Sequence, residues 1–387
     1  MSDQIQVKGY MEQEPITRRN LRDREVKESV TQRGVKKKRS AIVIAIIILL
    51  VVSVISIGFY AFNSVYSKLN TEDTSQYLSA DSRPSKPGKE YDTPVDGFDG
   101  PLNILLIGSD SRASMGEVDA EGMRSDTTIL AHISEDRNRV DLVSIPRDSL
   151  FEIPSCVLPD GTETLPEVAK FNASFALGGQ TGDAGAAASC TIKTFESATD
   201  IYVDGFMVID FTGFEKIVDD LGGVDFNVPE DVVDPDFDNL VINAGPQTFN
   251  GKEALQYARV RKAVGMSGSD LSRIERQQEL FSAIITKAKS KITDIPTMYA
   301  LTGSLAEMTT TNEEFGNVRD LAGLMWSLRN TREDSINFVT VPVIEAGDGS
   351  NVLWDDGAYT LWANVKEDYP LIQETVESEP TETEEGL

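Results

Sequence analysis

The chain of 387 residues carries a formal net charge of −27 and contains one histidine and two cysteines. These numbers exclude a zinc site built from histidine and cysteine. His132 lies in the middle of a predicted strand, which makes a Ser-His-Asp triad implausible. So acidic a chain repels nucleic acid, which we exclude as a partner. Walker A, Gly-x-Ser-x-Gly and Gly-x-Gly-x-x-Gly motifs are absent, which excludes P-loop NTPases, hydrolases of that fold and simple dinucleotide binders.

Residues 41–62 contain no charged side chain and are long enough to span a bilayer as a helix. Residues 1–40 before them hold 11 Lys and Arg against 6 Asp and Glu. The excess of positive charge predicts a single-pass signal anchor in the cell membrane, with a cytoplasmic N-terminus and an extracellular domain after the anchor. A cleaved signal peptide is the alternative, but its apolar core would be shorter and no small-x-small cleavage site follows.

Composition divides the remaining chain. Residues 1–40 are predicted to be a disordered cytoplasmic tail, 63–98 an extracellular linker rich in Ser, Thr, Asp and Pro, 99–373 the globular domain and 374–387 an acidic disordered tail. Residues 41–387 carry 25 Lys and Arg against 57 Asp and Glu, a net charge of −32 that attracts divalent cations. In the oxidising extracellular space, Cys156 and Cys190 are expected to form a disulfide.

Hydrophobic periodicity predicts alternating strands and helices within the domain. Residues 151–169 are predicted to be a loop. The alternation indicates an α/β fold with a mixed central β-sheet covered by helices on both faces. The predicted strands are 103–108, 124–133, 140–146, 202–209, 224–228 and 336–343, and the predicted helices are 170–179, 184–198, 211–221, 250–258 and a long one from 270.

Charged side chains recur at or beside the ends of three predicted strands. In open α/β sheets, ligands bind beyond the carboxyl ends of strands. For any single pair, an ordinary surface ion pair is the better explanation, but the recurrence favours a functional site. The pairs are Asp110 with Arg112, Arg124 with Asp126, and Arg147 with Asp148.

A cationic cluster lies at residues 259–277, where five Lys and Arg face two acidic residues. In so acidic a chain, it predicts a specific anion as ligand. Arg259 and Arg261 alternate, so on an extended segment both side chains would point to one side.

The helix that follows places Arg273 and Gln277 one turn apart beside its apolar stripe, and Arg276 is predicted to face water. Guanidinium forks match phosphate geometry, and separated aspartates can hold Mg²⁺. Together with Asp110 and Asp126, the arginines are the groups that a Mg²⁺-pyrophosphate site requires.

Seven segments resemble, in this order, the LytR-CpsA-Psr family of cell-wall ligases, and the single N-terminal anchor resembles it too. The resemblance covers about residues 100–280. The segments are NILLIGSDSR at 103–112, RSDTT at 124–128, SIPRD at 144–148, KFNASF at 170–175, DLGG at 220–223, the run from 251 to Arg259-x-Arg261, and DxxRxxRQ at 270–277.

The resemblance implies an α/β/α fold and an extracellular phosphotransferase. Such an enzyme moves a glycopolymer from a polyprenyl-pyrophosphate carrier to peptidoglycan, forms a phosphodiester bond and releases polyprenyl phosphate. Its expected partners are the lipid-linked glycan, the peptidoglycan acceptor and the membrane. The glycopolymer itself is not specified by the sequence.

The resemblance also implies roles for individual residues. Asp110 and Asp126 are the implied ligands of Mg²⁺, or of Mn²⁺ in its place. Asp110, Arg147 and Arg261 are the implied catalytic residues. The implied pyrophosphate contacts are Arg112, Arg124, Arg147, Arg259, Arg261, Arg273 and Gln277.

Other functions remain open at this point. The same site would suit a polyprenyl-pyrophosphate hydrolase, and a non-catalytic wall-binding or regulatory membrane protein is a further alternative. The general base is also open: Asp110 could serve, or geometry alone could activate the acceptor hydroxyl.

A polyprenyl chain must be sheltered from water, so we expect an apolar groove that ends at the arginines. Its expected walls are the helix at 171–177, the region 206–214 and the apolar stripe Leu271, Ile274, Phe281, Ile284 and Ile285.

Overall fold

The computed structural model describes residues 70–86, 98, 100–110, 123–234, 240–260, 270–291, 309–316 and 318–371. The strands in chain order are β1 Asn70–Glu72, β2 Leu102–Ser109, β3 Ser125–Ile133, β4 Val140–Ile145, β5 Leu150–Ile153, β6 Glu167–Lys170, β7 Gly205–Asp210, β8 Val224–Val228, β9 Val232–Asp234, β10 Leu240–Ile242, β11 Gly245–Phe249, β12 Thr309–Asn312, β13 Ile336–Thr340, β14 Val343–Glu345 and β15 Val352–Trp354. The helices are α1 Phe171–Gly178, α2 Ala184–Thr199, α3 Phe211–Asp220, α4 Gly251–Arg259, α5 Asp270–Lys291, α6 Val318–Ser327 and α7 Asp356–Lys366.

A mixed seven-stranded sheet in the order β1-β12-β7-β2-β3-β4-β13 forms the centre of the domain. β2 runs parallel to β7 and antiparallel to β3, and β4 runs antiparallel to β3 and parallel to β13. Leu105 of β2 pairs with Leu130 of β3, which pairs with Val143 of β4. All three side chains are fully buried, and each such burial contributes about 1.5–3 kcal/mol.

Helices pack on both faces of this sheet, because side chains along each strand alternate between the faces. On one face, Leu105 and Val143 share a core with Phe175 of α1 and Phe195 of α2. The central mixed sheet predicted from the sequence is confirmed.

The opposite face carries a separate core. There, Ile104 and Ile129 pack against Phe281 of α5 and Leu324 of α6. α5 therefore lies across the sheet beside the end at which β2 finishes and β3 begins.

A third core joins α3, α4 and α5 to the hairpin of β8 and β11. Phe226 and Phe249 of that hairpin contact Tyr257 of α4, with ring centroids 5.0 and 5.6 Å away. Val218 of α3 and Leu280 of α5 are buried in the same cluster. This packing holds α4 against α5 and the β8–β11 pair.

Residues 70–86 belong to the folded domain, which corrects the predicted linker over 63–98. β1 pairs with β12 at the sheet edge, and Tyr77 and Leu78 are buried. Arg83 donates to the carboxylate of Glu196 at 2.6 Å. The Asn-Thr-Glu sequence of β1 is polar throughout, so this edge strand shows no apolar alternation for sequence analysis to detect.

Part of the predicted loop over 151–169 forms an antiparallel hairpin of β5 and β6. Phe151 of β5 packs edge-on against Phe171 and Trp354, at 5.5 and 4.7 Å between ring centroids. The hairpin thus depends on tertiary contacts that its own sequence does not reveal. Cys156 forms a disulfide with Cys190 of α2, the pairing expected from the sequence.

The predicted strand 336–343 ends earlier, at Thr340. Pro342, which lacks a backbone N–H, separates it from β14, and β14 pairs with β15 outside the central sheet.

No helix among the described residues combines the length and apolar composition needed to cross a membrane. The predicted anchor at 41–62 lies outside the described residues, as do the predicted tails 1–40 and 374–387 and the linker residues 87–97.

Candidate active site

Four strands end or begin at the same edge of the central sheet. Ser109, the last residue of β2, pairs with Ser125 at the start of β3 and with Asp210 at the end of β7. β4 runs antiparallel to β3, so its carboxyl end, which leads to Arg147, lies at this edge as well. The strand directions therefore bring separate polar segments to one place, as the sequence predicted.

Asp126 lies between two arginines. Its Oδ1 is 2.8 Å from Nη1 of Arg147, and both side chains are about one quarter exposed. Nη2 of Arg273 donates to the backbone oxygen of Asp126 at 3.3 Å. Arg273 is buried, although it carries a charge. Two guanidinium groups from distant parts of the chain thus converge on one strand end.

Asp110 is held by the main chain of Arg124. The backbone N–H of Arg124 donates to Oδ1 of Asp110 at 2.9 Å, and the N–H of Asp110 donates to the carbonyl of Arg124 at 3.1 Å. The carboxylate is thereby oriented, while the side chain of Arg124 is exposed.

A cavity of about 570 Å³ opens between this sheet edge and helices α3, α4 and α5. The polar residues of its lining are Asp110, Asp126, Thr127, Asp210, Arg259, Arg273 and Gln277. The remainder is mainly apolar and contains Leu106, Ile107, Ile129, Ile209, Phe211, Phe214, Leu255, Ala258 and Phe281. An amphipathic ligand with an anionic head and an apolar tail matches this combination of side chains.

The family model described as the LytR_cpsA_psr family matches residues 63–371. The chain belongs to this family. The transferase TagT of Bacillus subtilis, named as a polyisoprenyl-teichoic acid–peptidoglycan teichoic acid transferase, is 34% identical over 280 residues, which cover 70% of this chain and 77% of TagT. TagU of the same organism carries the same description and is 30% identical over 74% of this chain and 82% of TagU.

Solved structures of family members resemble the domain. A structure of TagT bound to LI-WTA is 26% identical, has a TM-score of 0.54 and covers 75% of this chain and 98% of its own. A LytR-Csp2A-Psr enzyme from Actinomyces oris has a TM-score of 0.57 over 78% of this chain and 97% of its own. At 19% identity, that second likeness shows the fold alone.

Within this LytR_cpsA_psr domain, the predicted site residues divide into three groups. Asp110, Asp126, Arg259, Arg273 and Gln277 line the cavity, as stated above. Arg147 reaches the site through its ion pair with Asp126, and Arg124 reaches it through its backbone. Arg112 and Arg261 lie outside the described residues.

Gln277 connects two elements of the site. Its Oε1 accepts a hydrogen bond from Oγ1 of Thr127 in β3 at 3.2 Å, and its Nε2 donates to the carbonyl of Ala258 in α4 at 3.2 Å. At the end of α4, the guanidinium carbon of Arg259 lies 4.4 Å from the centroid of the Phe211 ring, a cation–π geometry. The arginine and its aromatic neighbour both line the cavity.

Arg276 does not face water, which corrects the sequence-based expectation. Its side chain is buried, and Nη2 donates to the carbonyl of Val260 at 2.7 Å. Burial lowers the pKa of the guanidinium, and the surrounding Tyr257, Glu230, Glu275 and Glu279 act in the opposite direction.

Sequence reasoning missed two charged residues of this region. Asp210 lines the cavity and also caps α3 by accepting the N–H of Gly213 at 2.7 Å. An aspartate between a strand and a helix is a recognisable N-cap signal. Lys170 pairs with Asp148, the neighbour of Arg147, at 2.7 Å.

The predicted groove walls are correct only in part. In the region 206–214, Phe211 and Phe214 line the cavity, whereas Phe206 belongs to the core on the opposite face of the sheet. Phe171 and Phe175 of the helix at 171–177 belong to the core on the opposite face of the sheet. Phe281 lines the cavity, but Ile285 packs in the sheet core and Ile284 against the third core. The side chain of Leu271 lies outside the described part of the chain. His132 is buried and contacts Asn103 and Asp368, away from the cavity lining.

Among the described residues, no three His, Cys, Asp or Glu side chains lie close enough to hold a metal ion by themselves. Mg²⁺ commonly binds through one or two carboxylates, with water and substrate phosphates completing its shell. Asp110 and Asp126 line the same cavity, and their carboxylates fit that mode of binding.

Proposed function

We propose that this chain transfers a glycopolymer from a polyprenyl-pyrophosphate carrier to peptidoglycan. The observation that carries the proposal is the mixed lining of the cavity, which combines arginines and aspartates with many apolar side chains. Family membership and the transferase names of TagT and TagU support it.

The apolar lining suits the prenyl chain, because removing apolar surface from water is the main driving force for binding such a chain. The arginines suit the pyrophosphate. Arg273 is buried and Arg259 is exposed at the cavity, so the two can approach an anion from different depths. Arg261 is assigned to the same clamp through its place in the sequence motif.

In the proposed reaction, the acceptor hydroxyl oxygen of peptidoglycan forms a bond to the phosphorus that carries the glycan. The bond from this phosphorus to the bridging oxygen breaks, and polyprenyl phosphate leaves with that oxygen. The hydroxyl proton passes to a carboxylate, which we assign to Asp110 because Arg124 fixes its orientation. Arg147, Arg259 and Arg273 stabilise negative charge on the phosphoryl oxygens.

Asp110 and Asp126 would hold Mg²⁺, or Mn²⁺ in its place, where the ion would neutralise the non-bridging oxygens of the pyrophosphate. A carboxylate offers about four lone-pair sites. Asp110 can therefore accept the N–H of Arg124 and still serve a metal or a proton.

We further propose that residues 41–62 anchor the protein in the cell membrane, with residues 1–40 in the cytoplasm and the domain outside. The cationic flank of the apolar segment supports this orientation. The disulfide of Cys156 and Cys190 suits an oxidising extracellular space. Alkaline phosphatase fused after residue 371 should be active, whereas an inactive fusion would contradict the orientation.

The activity test uses the full chain in lipid nanodiscs, a polyprenyl-pyrophosphate donor with a radiolabelled glycan, and isolated peptidoglycan. We expect label bound covalently to peptidoglycan and free polyprenyl phosphate in equal amounts. Label released only into water would identify a hydrolase. Donor binding without turnover would identify a wall-binding or regulatory protein.

A further inference from the structure

The carboxyl end of α4 is held by two neighbouring residues of α5. The last four carbonyl groups of a helix have no partner inside the helix. α4 ends at Arg259, and the next residue, Val260, has an extended backbone with φ −56° and ψ 123°. The carbonyl of Ala258 accepts from Gln277, and the carbonyl of Val260 accepts from Arg276. The two carbonyls that flank Arg259 are thus fixed from the same side.

Arg276 performs this role from the interior of the domain. Its side chain is 7% exposed, and Val260 and Tyr257 beside it are each 1% exposed. A buried guanidinium is costly unless hydrogen bonds and opposing partial charges compensate. The carbonyl end of a helix provides such negative charge. Neighbouring carboxylates on Glu230, Glu275 and Glu279 add to it.

Arg276 does not reach the cavity. Arg273 and Gln277, on the same helix, line it, whereas Arg276 is absent from the lining. A direct contact with the pyrophosphate is therefore not the role of this guanidinium. Its hydrogen-bonded partner, Val260, directly follows Arg259, which does line the cavity.

We infer that Arg276 is a positioning residue, which fixes the end of α4 so that Arg259 is presented to the pyrophosphate. The inference rests on the proposed function, since it takes the ligand of Arg259 to be the pyrophosphate of the lipid carrier. Arg276 acts through the main chain. Its loss should therefore displace Arg259 while leaving the cavity walls and the carboxylates in place.

A double-mutant cycle tests this inference, because coupling between two residues appears as non-additivity. The full chain is compared with Arg276→Met, Arg259→Met and the double variant, using soluble farnesyl pyrophosphate as the probe of binding. Arg276→Met should weaken binding about tenfold when Arg259 is present, the effect of one lost charged hydrogen bond. In the Arg259→Met background, the same change should have less than a twofold effect. Equal losses in the two backgrounds, or no loss in a folded Arg276→Met protein, would overturn the inference.

Two further variants control the experiment. Arg276→Lys keeps a positive charge and a donor, so it should recover part of the affinity. If Arg276→Met does not fold, Arg276→Lys in both backgrounds supplies the same comparison, with additive losses again overturning the inference. Lys287→Met removes a cation from the same helix, where Lys287 pairs with Asp225 at 2.9 Å, and should leave binding unchanged.

The binding assay also separates this inference from the proposed function. A wild-type chain that binds farnesyl pyrophosphate but transfers no glycan would contradict the proposed function. The double-mutant cycle would still decide the role of Arg276. A wild-type chain that transfers glycan but does not bind farnesyl pyrophosphate would overturn the inference about Arg276 and leave the proposed function in place.

Discussion

Nη1 of Arg147 lies 2.8 Å from Oδ1 of Asp126 and joins the end of β4 to the start of β3 at the cavity. The pair is about one quarter exposed, and ion pairs that water reaches contribute about 1 kcal/mol or less to stability. The ion pair therefore acts mainly on the arrangement of the site and contributes little to the stability of the domain. Arg147 orients the Asp126 carboxylate and places a positive charge where the proposed reaction gathers negative charge.

Arg147→Met should reduce transfer by about a hundredfold or more, because it removes a donor that stabilises the transition state. The free energy of unfolding should change by no more than about 1 kcal/mol. Steady-state kinetics and urea unfolding of the same samples measure the two effects. Arg332→Met is the matched control, since Arg332 pairs with Asp334 on an exposed surface. If Arg147→Met keeps full activity, Arg147 has no catalytic role.

Removal of metal should stop transfer if Asp110 and Asp126 hold Mg²⁺ with the substrate phosphates. Asp110→Asn should lower activity and raise the Mg²⁺ concentration needed for half-maximal rate, since an amide binds the ion more weakly than a carboxylate. The variant keeps an oxygen that can accept the N–H of Arg124. Activity titrated against free Mg²⁺ measures both effects. An unaltered Mg²⁺ requirement, with activity lost, would assign Asp110 to proton transfer alone.

Sequence patterns predicted most of the central sheet and the strand-end positions of Asp110, Asp126 and Arg147. Buried strands are readable as apolar runs, and the charged residues that end them are readable beside those runs. Asp210 was missed because its nearness to the end of β2 depends on the pairing of β7 with β2. The register of this strand pair depends on tertiary contacts, which the hydrophobic periodicity of a single segment does not reveal.

Arg276 shows a second limit of sequence reasoning. Helical periodicity assigned it to the solvent side, because its partner, the carbonyl of Val260, lies just beyond the end of another helix, α4. The docking of α4 on α5 depends on Tyr257 and on the β8–β11 hairpin. A charged residue in a helix is usually exposed, and only the packed structure reveals the carbonyl that accepts from it.

Stability at low pH should depend on Asp368. Burial alone raises the pKa of its carboxyl, but hydrogen bonds from His132 and the N–H of Glu135, and the charges of His132 and Arg139, bring the pKa below its usual value. The resulting stabilisation is present above the unfolded pKa of about 3.9 and is lost as pH falls through the folded pKa.

Asp368→Asn should therefore destabilise the domain at pH 7, and the difference from wild type should shrink below about pH 4. Asp368 has a positive φ of 56°, which asparagine tolerates well, so the change adds no backbone strain. Urea unfolding across pH 2.5–7 is the measurement, with the pH values chosen to bracket the carboxyl pKa. Asp200→Asn is the control, because Asp200 also has a positive φ and pairs with Lys366 on the surface. A constant difference between pH 3 and 7 would show that the charge of Asp368 is not the cause.

The cavity predicts that affinity rises with prenyl chain length. Each buried CH₂ group contributes at most about 0.8 kcal/mol, which is about fourfold in Kd.

Phe214 and Phe281 are two of the apolar residues that line the cavity, and their rings pack edge to face at 6.3 Å between centroids. Phe214→Asn places an amide in this wall, where a prenyl chain offers no hydrogen bond. The variant should therefore lose much of the preference for long chains while binding short prenyl pyrophosphates like wild type. Ile344→Asn makes a similar change on the exposed strand β14 and should leave the preference intact. Calorimetric titration with prenyl pyrophosphates of increasing length tests both variants. If the shortest one binds wild type as tightly as the longest, the apolar lining does not hold the chain and only the pyrophosphate is recognised.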